Sequence, residues 1–252
     1  MNWQQPLNHD PGRLAIVIPS FRVRETLPGV VRSLAGAGRI YVVDDCCPEG
    51  SAEGLLASLS PAEKSNLEIL RNDRNLGVGG AVKAGYARAL ADRMEIIVKV
   101  DGDGQMDASL LPLLIEPLAR NRADYVKGNR FADASVLLRM PPVRLGGNFA
   151  LSLLSKFSHG YWSIMDPTNG YTAISGRMLS LLPLSRIADD YFFECDMLFT
   201  LGLFKARVLD IPMPARYGNE ISSMDLSQVL WTFPPRLWQR FWLRQKNILE
   251  KK

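Results

Sequence analysis

Asp101 and Asp103 stand one residue apart where the chain leaves the apolar run Ile96-Ile-Val-Lys-Val100. Two carboxylates so close repel each other unless a cation, a proton or hydrogen-bond donors relieve them. A divalent metal ion holding a diphosphate would do so. Gly102 and Gly104 let the backbone turn sharply there and leave room for a bulky ligand. Polar groups also follow two other apolar runs: Pro19-Ser20 after residues 14–18, and Asp44-Asp45 after residues 39–43. A single aspartate after a strand usually caps a helix or forms a turn. Three such places in succession, one of them an aspartate pair, point instead to a shared cleft. Asn75-Leu-Gly-Val-Gly-Gly80 opens a helix with glycines and can either present backbone N–H groups to an anion or simply start the helix. It follows the third apolar run and lacks G-x-G-x-x-G spacing, so it is not a dinucleotide fingerprint.

These groups meet only if the runs that carry them lie side by side. Residues 14–19, 39–43, 67–70, 96–100 and 125–126 read as strands, and 25–37, 52–59, 77–93 and 110–120 as helices. Single helices between strands imply right-handed βαβ units and a mostly parallel sheet, whose ligands bind at the carboxyl ends of the strands. After residue 130 the alternation breaks. Met140-Pro-Pro, Gly146-Gly147 and Asp166-Pro-Thr-Asn-Gly170 are loop signals, with helices expected over 144–157 and 189–204 and a strand over 206–211. The expected class is α/β: a mostly parallel central sheet flanked by helices over residues 1–230, then a C-terminal amphipathic helix over 231–252.

A chain of 252 residues accommodates one large α/β domain. Its net charge of +4, with no basic run in the body, argues against nucleic acid as a partner. Cys46, Cys47 and Cys195 have no metal-ligand spacing, and with only His9 and His159 beside them neither a zinc site nor a disulfide framework is expected. The N-terminus has no signal-peptide pattern, and no apolar run approaches the roughly 20 residues of a membrane span. The expected location is cytoplasmic, peripheral on the inner face of the plasma membrane.

The segments VIPSFR (17–22), VVDDCCPEGS (42–51), NLGVGGAVKAGY (75–86), VDGDGQMD (100–107), KGNRF (127–131) and DPTNGYTA (166–173) occur in an order that resembles the family 2 glycosyltransferases of GT-A fold. Within that family the chain looks most like the polyprenyl-phosphate and dolichyl-phosphate sugar transferases. The resemblance implies that Pro19, Ser20, Asp44 and Asp45 line the nucleoside pocket, with Gly77 and Gln105 also on the nucleotide-sugar side. It implies that Asp101 and Asp103 are the DxD element and hold Mg2+ or Mn2+, with Asp101 also near the ribose. It assigns Arg130 to a phosphate and matches Asp166 to the aspartate of the lipid-phosphate subgroup's DPTSG element, making both catalytic candidates. Thr172 stands where that subgroup usually has arginine. Lys99, inside the strand, departs from the usual pattern and reads as a snorkelling or ion-paired lysine.

In Phe192-Phe-Glu-Cys-Asp196-Met-Leu, the resemblance places an acid beneath the acceptor. Glu194 and Asp196 are about 200° apart on a helix and cannot both face the site. The motif register favours Asp196, with Glu194 the alternative.

In the tail, Leu237, Trp238, Phe241, Trp242, Ile248 and Leu249 share a helical face flanked by Arg236, Arg240, Arg244 and Lys246. Aromatic rings beside cations suit a helix lying in a membrane interface, and equally one packed on the domain or on a second copy. The expected function is inverting, metal-dependent transfer of a sugar from a nucleotide-diphosphate sugar to a polyprenyl phosphate or glycan. The alternatives are a nucleotidyltransferase making nucleotide sugars and a non-catalytic nucleotide-binding module. Loops 132–165 and 214–225 are expected to set specificity, with 217–223 as a lid.

Overall fold

The β-branched runs pair as their alternation with helices requires. The computed structural model describes residues 11–132, 142–213 and 226–249. Its strands are β1 Leu14–Ser20, β2 Arg39–Asp44, β3 Leu67–Arg71, β4 Ile96–Lys99, β5 Tyr125–Asn129, β6 Thr172–Ser175 and β7 Val208–Pro212. They form one sheet in the order β3-β2-β1-β4-β6-β5-β7. The β1–β2, β2–β3, β1–β4 and β5–β7 pairs are parallel, whereas β6 runs antiparallel to both β4 and β5. The helices are α1 Leu27–Ser33, α2 Ser51–Ser58, α3 Val78–Ala91, α4 Leu111–Ala119, α5 Pro142–His159, α6 Gly176–Leu179, α7 Phe193–Leu203 and α8 Leu226–Leu249.

Alternation along β1 divides the core between the two sheet faces. Leu14, Ile16 and Ile18 pack with apolar residues of α1, α2 and α4. Ala15 and Val17 point the other way, to α3, α6 and α7. Each fully buried aliphatic side chain contributes about 1.5–3 kcal/mol, so the six-residue apolar run of β1 anchors both layers. Centring β1 between β2 and β4 brings the ends of all three to one edge of the sheet.

The structure differs from the expected elements in three places. Strand β6 follows the loop expected over 166–170, where no strand is expected, because four residues are too few to show a period. Strand β5, which Tyr125–Val126 is expected only to start, runs on to Asn129. Helix α8 begins at Leu226, so the division expected at 230/231 falls inside a helix that also contains Pro234 and Pro235. The expected lid and the whole 214–225 loop lie outside the described residues, as do residues 133–141.

The tail face also splits. Phe233 and Leu237 are buried with Leu151, Phe192 and Cys195, while Trp238 and Trp242 remain exposed. The arginines turn inward: Arg236 pairs with Asp190 at 2.6 Å, Arg240 with Asp196, and Arg244 donates to the Phe157 carbonyl at 3.2 Å. The expected outward flank of arginines is therefore not what the fold builds. Helix α5 has the same inverted character. Ser152, Ser155, Ser158 and His159 are buried, while Phe149, Leu153 and Phe157 are exposed. The side chains of Ile248 and Leu249 lie outside the described residues.

Candidate active site

The carboxyl ends of β1, β2 and β4 bring Ser20, Asp44, Asp45, Asp101 and Asp103 together, as the sequence implies. Ser20 pairs in register with Asp44, and the Thr26 hydroxyl donates to the Gly102 carbonyl at 2.7 Å, tying the start of α1 to the turn after β4. The Ser20 hydroxyl oxygen is buried among the described residues with no hydrogen-bond partner. The Asp44 carboxylate accepts from the Cys47 N–H at 3.0 Å and from Arg71 at 3.4 Å.

Asp45 serves the scaffold directly. Its carboxylate accepts from Asn72 Nδ2 at 2.8 Å, Leu76 N at 2.9 Å and Gly77 N at 2.8 Å. The Gly77 N–H also points to Asn75 Oδ1 at 2.9 Å, and Gly80 N–H donates to the Asp189 carbonyl at 3.0 Å. The Gly77 and Gly80 N–H groups are therefore engaged within the protein, by the Asp45 carboxylate and the Asp189 carbonyl. Its glycines are needed for close approach: Gly77 has φ +83°, and a Cβ there would stand 2.7 Å from the Asp189 carbonyl oxygen.

The Asp101 side chain is 31% exposed. Asp103 accepts from the Gln105 N–H at 3.0 Å, which shapes the turn, and the Gln105 side chain is exposed. Among the described residues no cluster of three or more His, Cys, Asp or Glu side chains forms an all-protein metal cage. Two carboxylates on one open turn fit a hard cation that completes its shell with phosphate oxygens and water.

Arg130, just after β5, meets Asp166 through two side-chain hydrogen bonds, Nε to Oδ2 at 2.7 Å and Nη2 to Oδ1 at 3.0 Å. Burial alone would raise the Asp166 carboxyl, but the Arg130 guanidinium holds it below the usual range. Asp166 is fully buried while Arg130 keeps 36% of its side chain exposed, so the aspartate fixes a guanidinium that still reaches the surface.

The α7 acids separate as helical geometry requires, and Glu194, the alternative of the two, is the one that faces β4. Glu194 faces β4, accepting from Lys99 Nζ at 2.7 Å. Asp196 faces away, accepting from Arg240 at 2.6 and 2.9 Å and from the Ala188 N–H at 2.9 Å. Lys99 also meets Asp101 Oδ1 at 2.8 Å. Burial by itself would lower the Lys99 ammonium, but the Asp101 and Glu194 carboxylates raise it above its ordinary range. Lys99 is thus the ion-paired lysine of the two readings.

Lys127 and Asp210 were not singled out by sequence reasoning. Lys99, Thr172, Lys127 and Asp210 are register neighbours across β4, β6, β5 and β7. Position 172, where the resemblance expects arginine, is therefore flanked by lysines on both adjacent strands. Lys127 is fully buried and donates to the Asn169 carbonyl. Burial pushes its ammonium down to about 8 against the opposing pull of Asp166 and Glu194. Burial pushes the Asp210 carboxyl up to about 6; its Oδ2 accepts from Asn129 Nδ2 at 2.8 Å. A charged side chain within a short, otherwise apolar strand is the sequence signal for such a row.

Comparison with known proteins agrees with this architecture. The profile described as "Glycosyl transferase family 2" matches residues 15–179. An undecaprenyl-phosphate mannosyltransferase of Micrococcus luteus is 29% identical over 205 residues, covering 80% of this chain and 82% of that protein. A polyprenol monophosphomannose synthase of Mycolicibacterium smegmatis is 27% identical over 205 residues, covering 80% and 76%. Among solved structures, glucosyl-3-phosphoglycerate synthase of Mycobacterium tuberculosis, crystallised with Mn2+, UDP and phosphoglyceric acid, superposes with a TM-score of 0.67 at 18% identity, covering 91% of this chain and 78% of that one. That likeness shows a shared GT-A fold.

Proposed function

Since the chain belongs to glycosyl transferase family 2, we propose that it transfers a sugar, with inversion, from a nucleoside diphosphate at the Asp101–Asp103 turn to a polyprenyl phosphate at Arg130. The family match sets aside both a nucleotidyltransferase and a non-catalytic module. The relatives named for undecaprenyl-phosphate and polyprenol substrates support the acceptor class.

One observation carries the choice of a phosphate over a hydroxyl acceptor: both α7 carboxylates are committed to fixed cations. A hydroxyl nucleophile needs a base to take its proton. Glu194 is held by Lys99 and Asp196 by Arg240, so neither is free to do so. A phosphate monoester is already ionised near neutral pH and needs orientation instead. Arg130, fixed by Asp166, has the fork geometry for that. A divalent cation on Asp101 and Asp103 would neutralise the departing diphosphate. Ser20 and Asp44 lie on the nucleoside side, with Asp45 fixing the adjoining loop.

The exposed aromatic face of α5 and α8 supports a peripheral contact with the membrane that carries such an acceptor. Among the described residues no helix is long and apolar enough to cross a membrane.

The test offers a panel of radiolabelled UDP-, GDP- and dTDP-sugars with Mn2+ to the protein in detergent, together with undecaprenyl phosphate or free glycans. A sugar-labelled product that extracts into organic solvent, lost in Asp103→Ala, is expected. Transfer to glycan hydroxyls but not to lipid would overturn the acceptor assignment. In that event Asp210, with its raised carboxyl, is the base to examine by Asp210→Asn.

A further inference from the structure

A lysine inside a buried strand needs a reason. Ile96, Ile97 and Val98 are apolar, yet the next residue carries an ammonium whose side chain is only 2% exposed. Replacing a buried ion pair by apolar groups of similar size is often neutral or stabilising, so fold stability alone does not account for Lys99. Its position does. The ammonium lies between Glu194 Oε1 at 2.7 Å and Asp101 Oδ1 at 2.8 Å, joining a helix behind the sheet to the first acid of the DxD turn.

The contact extends to the acceptor side. A Cβ placed on Gly170 would stand 2.4 Å from Lys99 Nζ and 2.5 Å from Asp101 Oδ2. The turn from Asp166 to Gly170 therefore rests on the Lys99–Asp101 pair, and the first residue of that turn fixes Arg130. Lys127 supports the same turn by donating to the Asn169 carbonyl.

We propose that Lys99 is a positioning residue for sugar transfer: it takes one oxygen of Asp101, fixes the orientation of that carboxylate on the donor turn, and uses Glu194 as its counter-ion. This rests on the transferase reading above. Glu194 then acts through Lys99 rather than on substrate. The ammonium also sets the electrostatics of the turn, because it subtracts from the attraction that Asp101 and Asp103 exert on a bare divalent ion. Glu194 offsets part of that subtraction. Removing each partner must therefore change cation binding in opposite directions, while a loss of turnover that persists when cation binding is restored marks the positioning role.

The experiment measures Mn2+ binding calorimetrically, without nucleotide and with UDP or GDP, alongside turnover, for wild type, Lys99→Met, Glu194→Gln and the double variant. Lys99→Met is expected to bind bare Mn2+ about tenfold more tightly and Glu194→Gln more weakly. The double variant should bind it close to wild type while keeping a turnover loss of about a hundredfold, because Asp101 is no longer held. Equal or unshifted Mn2+ affinities in both single variants, or full turnover in the double variant, would overturn the assignment. If Lys99→Met does not fold, Glu194→Gln carries the test: unchanged Mn2+ affinity overturns it. A wild type without metal-dependent nucleotide binding and without lipid product would defeat the transferase reading instead, so the two failures are distinguishable.

Discussion

Arg240 and Asp196 meet through two hydrogen bonds, at 2.6 and 2.9 Å, where α8 crosses α7. Asp196 is almost wholly buried. The arginine on the tail therefore neutralises an acid inside the domain, and the acid closest to the family pattern is occupied by the tail. Arg240→Met leaves that carboxylate buried without its cation and should lower stability by about 3–5 kcal/mol. Adding Asp196→Asn should restore most of it. Urea unfolding of both variants checks this, and transfer activity should track the folded fraction rather than the presence of Asp196.

Arg130→Lys keeps a positive charge but loses the two-point grip on Asp166. The KM for polyprenyl phosphate should rise by about ten- to a hundredfold while that for the nucleotide sugar changes little. Steady-state kinetics with each substrate varied separates the two. A rise confined to the donor KM would place Arg130 on the diphosphate instead.

The inward arginines change what membrane binding should look like. Because Arg236, Arg240 and Arg244 are engaged with Asp190, Asp196 and Phe157, the outward face depends on Phe149, Phe157, Trp162, Trp238 and Trp242. Co-sedimentation with neutral phosphatidylcholine vesicles should persist at high salt, since screening weakens ionic contacts and not apolar ones. Trp238→Ser with Trp242→Ser should abolish it. Binding that requires anionic lipid and fails at high salt would contradict this, and a dimer lost in the same variant would mean that a second copy covers the face.

His159 supplies a pH dependence. Burial pushes its imidazole down to about 3, and Nδ1 accepts from the Tyr161 N–H at 3.0 Å. The unfolded chain therefore binds a proton at higher pH than the folded one. The resulting stability is fully present above about 6.5 and is lost as pH falls toward 3. The slope is about 1.4 kcal/mol per pH unit within that window. His159→Asn retains an acceptor near Nδ1 without titrating, so its unfolding free energy should fall less steeply than that of wild type between pH 6.5 and 4.

The α/β class, the strands from β1 to β4 and the convergence of Ser20, Asp44, Asp45, Asp101 and Asp103 follow from local pattern. Periodicity and turn chemistry are local, and a parallel sheet places successive strand ends on one edge by necessity. Family membership was legible in the ordered motifs for the same reason. Which of Glu194 and Asp196 faces β4, where the tail arginines end, and what holds Lys99 were decided by tertiary structure alone. Helical spacing shows that two acids point apart but not which direction is the site, because that depends on how α7 is rotated against the sheet. The row from Lys99 to Asp210 depends on the register of four strands separated by as many as 111 residues, with β6 inserted antiparallel between β4 and β5. No local pattern encodes that register, and through it the buried charges come to lie beneath the site.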